Sequence, residues 1–152
     1  MSLSKRQVFL IQSSFEKVAP IADTAAALFY RKLFEYDPSL KSLFKNDMKS
    51  QGKKLMMTLG TAVKGLSDLD SIVPVLQNLA RKHVGYGVKV EDYTPVGNAL
   101  LYALSQGLGT DFNQEVRQAW VDLYKVIAEV MRSAAYPQYN ASTFQNTKNY
   151  NR

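Results

Sequence analysis

The chain has 152 residues, 46% hydrophobic and 21% charged, which makes one compact domain of ordinary composition and is too short for two full-sized ones. It contains no Cys, which excludes disulfides, iron–sulfur clusters, thiolate zinc sites, covalent c-type haem attachment and Cys nucleophiles; its one His, His83, excludes metal sites built from several imidazoles. The 19 Lys and Arg outnumber the 13 Asp and Glu, giving a net charge of +6 that suits an acidic partner but that a solvated surface also explains.

The apolar spacing predicts helices in chain order, with no convincing strand alternation anywhere. Val8, Ile11, Phe15 and Val18 step by 3, 4 and 3. Before them, Lys5-Arg6 and Val8 to Ile11 hint at an export signal. The apolar run stops at Gln12, short of the roughly 7–15 residues such a signal uses, and no run approaches the ~20 of a membrane span. A cytoplasmic protein with no membrane association is therefore expected. A second, Ala-rich helix runs from Ile21 to about Asp37 and carries Phe29, Leu33 and Phe34; Pro38 ends it and opens a short turn, Ser39 to Phe44. From about Met48, Leu55, Leu59, Ala62 and Leu66 form the next stripe. Asp68 and Asp70 mark a break and a restart, after which Ile72, Leu76, Leu79 and His83 step by 4, 3 and 4. Gly85 and Gly87 stop that helix. Val96, Leu100 and Leu104 belong to another, ended by Gly107 and Gly109. Val116, Trp120, Leu123, Ile127 and Val130 form the last and clearest stripe. The expected architecture is all-α: six longer helices, one short one and brief loops. Residues 1–136 are expected to form the domain. Residues 137–152, rich in Asn, Gln, Thr, Ser and Tyr with no acid, read as a disordered or loosely draped tail. Asn140-Ala141-Ser142 matches a glycosylation sequon by chance in a chain without an export signal.

Three polar residues fall on inward faces. His83 ends the stripe of Ile72, Leu76 and Leu79. Gln51 lies four residues before Leu55 on the same face. Tyr30 sits beside Phe29. Each has a plain structural explanation: a histidine bonded to backbone, a half-solvated helix start, an amphipathic core tyrosine. Breaks in a binary pattern are nonetheless where functional sites tend to lie.

Taken together, Leu28-Phe29-Tyr30, Asp37-Pro38-Ser39-Leu40-Lys41-Ser42-Leu43-Phe44, Gln51-Gly52-Lys53-Lys54-Leu55-Met56 and Arg81-Lys82-His83-Val84-Gly85-Tyr86-Gly87-Val88 resemble the globin family. The likeness is to bacterial single-domain haemoglobins and the haem domain of flavohaemoglobins, over about residues 5–135. It implies a helical sandwich around non-covalent haem b. His83 matches the proximal iron ligand. Phe44 matches the phenylalanine packed on the haem face. Gln51 and Leu55 match distal residues one turn apart, and Tyr30 matches the distal tyrosine. Tyr93 matches a tyrosine near the proximal His, and Val96 and Trp120 fall on pocket or core positions. Phe29, Leu79 and Val88 complete the expected haem contacts, with Lys54 or Lys53 placed to pair with a haem propionate. The resemblance breaks at Ala135, where the flavohaemoglobin pattern has a Glu that completes a His–Tyr–Glu network; Glu129 is offset from that position.

With one His, iron ligated on both sides by imidazole is impossible. The resting iron is expected to be five-coordinate or to take water or a weak internal ligand, such as the Tyr30 phenolate or a Lys. The open position takes O2, CO or NO. O2 there draws partial negative charge, which the Tyr30 O–H and the Gln51 amide can both meet by donation. The expected function is high-affinity O2 binding for transport, storage or scavenging, in a monomer or weak homodimer. The alternative is a nitric oxide dioxygenase; since no GxGxxG or flavin-binding segment appears, it would work with a separate reductase. Nitrite reduction and gas sensing are further readings of such a site. Gly65-Leu66-Ser67-Asp68-Leu69 lacks the final Gly of a nucleophile elbow, and Gly85-Tyr86-Gly87 reads as a helix end. The basic run Lys41, Lys45, Lys49, Lys53 and Lys54 opposes only Asp47, but no nucleic-acid-binding motif accompanies it.

Overall fold

A computed structural model describes residues 3–45 and 47–144. Among these residues there is no strand. The α-helices are α1 (Lys5–Val18), α2 (Ala22–Tyr36), α3 (Met48–Lys64), α4 (Leu69–Tyr86), α5 (Tyr93–Leu108) and α6 (Gln114–Ala135). Short 3-10 turns join them, including Pro38–Leu43 where the short element was expected.

Local chemistry sets the helix ends. Ser4 and Gln7 form a reciprocal capping box at α1, the Ser4 hydroxyl accepting from the Gln7 N–H at 3.0 Å and Gln7 Oε1 accepting from the Ser4 N–H at 3.0 Å. Asp47 accepts from the Ser50 N–H at 3.2 Å at the start of α3, and Asn113 from the Val116 N–H at 2.9 Å at the start of α6. α4 ends at Gly87, whose φ of 98° lies in the left-handed region that a side chain disfavours. Gly85 and Gly107 lie inside helices rather than ending them.

The helices pack on one another without a sheet: α2 on α5 and α3, α1 and α4 on α6. The core centres on Ile11, Val18, Leu33, Trp120 and Leu123, each almost wholly buried. Trp120 fixes one seam, its indole N–H donating to Ser14 Oγ at 2.9 Å. Gly52 fixes another, since a Cβ there would stand 2.9 Å from the Ala26 Cβ. Only Gly lets α3 come this close to α2, and Gln51 comes with it. After α6, residues 137–144 form irregular turns, with the Phe144 ring 4.4 Å from the Arg132 guanidinium and 5.5 Å from the Tyr139 ring. The rest of the expected tail, residues 145–152, lies outside the described residues.

Candidate haem site

Tyr30 stands at the centre of one group. Its position on α2 is buried, and Phe29 meets it edge-on at 4.9 Å, Phe44 edge-on at 5.3 Å and Phe34 stacked at 6.1 Å. Pro38–Leu43 turns the chain so that Phe44 returns against α2. Burial pushes the Tyr30 hydroxyl up to about 12, and a hydrogen bond with the Gln51 side chain partly offsets this. Tyr30 therefore stays a neutral donor across the physiological range, with Gln51 beside it. Leu55, one turn along α3 from Gln51, is half-buried.

His83 is half-buried in the last turns of α4. Its Nδ1–H donates to the Leu79 carbonyl at 2.8 Å. A carbonyl can only accept, so this bond assigns the proton to Nδ1 and leaves the Nε2 lone pair free. Burial lowers the His83 pKa, with the Leu79 carbonyl opposing, so the ring is held neutral and fit to bind a metal. The end of α4 approaches the Phe44 corner: a Cβ on Gly87 would stand 3.2 Å from Leu43.

The remaining expected residues divide. Leu79, Val88 and Val96 are apolar and only half covered, as is Phe44. Lys53 and Lys54 are exposed. Trp120 takes the core side of the expectation: it is 1% exposed and bound to Ser14. Tyr93 is buried at the start of α5, and its hydroxyl has no hydrogen-bond partner among the described residues. Ala135 offers it no carboxylate. The Tyr136 ring meets it edge-on at 6.4 Å, but the Tyr136 proton goes to the Val88 carbonyl at 2.6 Å. Burial pushes the Tyr93 hydroxyl pKa up, the neighbouring Tyr136 adds to the shift and Arg132 opposes it. Sequence reading missed Arg132 and Tyr136. The structure buries Arg132.

These residues fit haem. Among the described residues no three His, Asp or Glu side chains gather to hold an ion. A macrocycle would supply the further ligands of an iron held by His83, with Phe44, Leu55, Leu79, Val88 and Val96 offering half-covered apolar surface and Lys54 an exposed cation.

An all-helical shell offering one imidazole with its lone pair free is an arrangement that suits a haem protein. The chain belongs to the globin family, whose model matches residues 27–131, and its cofactor is haem. It is 33% identical to a neuroglobin of Chaenocephalus aceratus over 143 residues, covering 85% of this chain and 90% of that one. It is 32% identical to a flavohaemoprotein of Oceanobacillus iheyensis over 141 residues, covering 91% of this chain but 35% of that longer protein. Among solved structures it matches an engineered carbene transferase, described as a putative nitric oxide dioxygenase from Rhodothermus marinus. That match has a TM-score of 0.78 and 24% identity and covers 87% of this chain and 92% of that one, which shows the shared fold. No helix among the described residues is long and apolar enough to cross a membrane.

Proposed function

We propose that this globin binds O2 reversibly and with high affinity, holding haem b through His83 and the gas beside Tyr30 and Gln51. The observation that carries the reading is the buried, neutral Tyr30 hydroxyl with the Gln51 side chain against it. Haem, when bound, would supply an iron able to bind a diatomic gas. The chain does the rest. His83 anchors the cofactor through Nε2, its ring oriented by the bond to Leu79. Phe44 and Leu55 cover the cofactor's face and exclude water. The buried Tyr30 hydroxyl keeps its proton, with the Gln51 amide beside it as a second donor. That proton then meets a gas carrying partial negative charge, and O2 gains more from this than CO, whose oxygen is a poor acceptor. Lys54 pairs with a propionate.

The second reading, oxidation of NO to nitrate, draws support from the flavohaemoprotein relative, of which this chain spans 35%. It requires an electron donor to restore ferrous iron, a role for a separate reductase. The test is to load the protein with hemin, reduce it to the ferrous state with dithionite, and measure O2 release by stopped flow, then NO consumption with NADH and a cell extract. Slow O2 release without sustained NO consumption supports O2 binding. Sustained, NADH-dependent NO consumption supports the dioxygenase.

A further inference from the structure

A cavity of about 150 Å³ lies where the end of α2, α5 and the start of α6 meet, and none of its lining residues is among the candidate haem contacts. The turn Gly109–Asp111 folds the chain back after α5, which brings Phe112 and Arg117 beside Leu101 and Ser105. Much of the lining is aromatic or aliphatic: Tyr36 is buried, and Leu101, Tyr102 and Phe112 are half-buried. A cavity of this size takes one benzene-sized ring. Its charge is one-sided, because no acidic residue lines it. Arg117 is half-buried, yet its guanidinium has no hydrogen bond or ion pair among the described residues. Arg6 and Arg31, by contrast, meet Glu115 at 3.0 Å and Glu35 at 4.0 Å. Lys32 brings a second positive charge close, its Nζ 4.8 Å from the Tyr102 ring centre and 5.3 Å from that of Tyr36. The Ser105 hydroxyl already donates to the Tyr102 carbonyl at 2.7 Å, so it has no proton for an anion, and Arg117 supplies the deciding charge.

We propose that this cavity binds a small aromatic carboxylate, its ring against Tyr36, Tyr102 and Phe112 and its carboxylate on Arg117. A guanidinium drawn partly out of water is satisfied best by a carboxylate, whose two oxygens match its fork of N–H donors. Apolar walls with one placed charge are the usual make-up of a small-molecule site. A bare inorganic anion would leave the rings uncovered, and a neutral ring would leave Arg117 unpaired. The site is separate from that of the gas, and the inference does not depend on His83 or on haem.

The experiment titrates isotope-labelled protein with benzoate and follows proton–nitrogen NMR signals. The protein is hemin-loaded, reduced and CO-bound, so that the iron is closed to the carboxylate. Benzyl alcohol serves as the neutral ring and acetate as the anion without a ring. Benzoate is expected to bind saturably and to move the Arg117 side-chain signal and the Leu101 and Phe112 amides, while the Gln51 side-chain signal and the haem absorption bands stay in place. Benzyl alcohol and acetate should each bind at least about tenfold more weakly. Arg117→Gln should weaken benzoate by about tenfold or more, and Arg81→Gln, the same loss of charge at an exposed position on α4, should leave it unchanged. Absence of saturable binding, shifts at Gln51 in place of Arg117, or benzoate binding undiminished in Arg117→Gln would overturn the proposal. The comparison of benzoate with benzyl alcohol needs only the unmodified protein, and equal affinity for the two would overturn it as well, whether or not the variant folds.

Discussion

Tyr30→Phe isolates the hydrogen bond on which high O2 affinity is argued to rest. The Phe29, Phe34 and Phe44 rings pack against the Tyr30 ring, which Phe retains, so packing should survive the change. The hydroxyl, raised to about 12, is a neutral donor at any working pH, so the variant removes one donor and no charge. A hydrogen bond to a charge-bearing acceptor contributes about 1.5–3 kcal/mol. At about 1.4 kcal/mol per decade, O2 release should accelerate roughly 10- to 150-fold. CO release should change little. Folding stability should shift by no more than about 1 kcal/mol, since only the bond with Gln51 is lost from the protein itself. Stopped-flow displacement of O2 by CO and of CO by NO reads both rates on one preparation. Equal acceleration of the two gases would refute the argument and make Tyr30 a packing residue only.

Gly52→Ala should force α2 and α3 apart at the 2.9 Å approach to Ala26, destabilising the protein by about 1–3 kcal/mol and drawing Gln51 away from Tyr30; O2 release faster than wild type together with a lower melting temperature checks both parts. Trp120→Phe leaves Ser14 without its indole donor in a buried seam and should cost about 1–3 kcal/mol in urea unfolding, while the ferrous and CO-bound spectra stay as in wild type. Burial raises the Tyr30, Tyr93 and Tyr124 pKa values above the ordinary phenol value of 10.0. The unfolded chain then releases these protons first as pH rises. Their contribution is complete below about pH 10 and falls above it by about 1.4 kcal/mol per pH unit for each tyrosine. Urea titrations at pH 9, 10 and 11 measure this, and equal stability at pH 9 and 11 would contradict the burial of the three hydroxyls.

The helices were legible because each buries one face, and a face recurs every three or four residues. Ile72, Leu76, Leu79 and His83 carry that signal within a single stretch, and it placed the imidazole as well as the helix. Gln51 and Tyr30 could be marked as polar residues on inward faces, but their meeting depends on Gly52, whose missing Cβ matters only once α2 lies against it. Trp120 announced burial without its partner, since Ser14 is 106 residues away. The Tyr136 bond was hidden for a related reason. Tyr136 follows the last apolar stripe and borders the polar tail, and its bond to Val88 is a property of the closed fold. The glycine stops were half readable: two glycines stand at each helix end, and only the backbone angle shows that Gly87 and Gly109 carry the positive φ.

The central claim is that one imidazole, His83, anchors haem and leaves the opposite coordination position for a gas. Absorption spectra of wild type and His83→Gly, each mixed with hemin and taken as ferric, ferrous and CO-bound protein, test it most directly. Wild type should take up hemin, give a five-coordinate ferrous spectrum and bind CO. His83→Gly should lose the histidine-ligated ferrous spectrum and regain it with added imidazole. A wild-type protein that takes up no hemin, or a glycine variant that keeps the histidine-ligated spectrum without imidazole, would contradict the account.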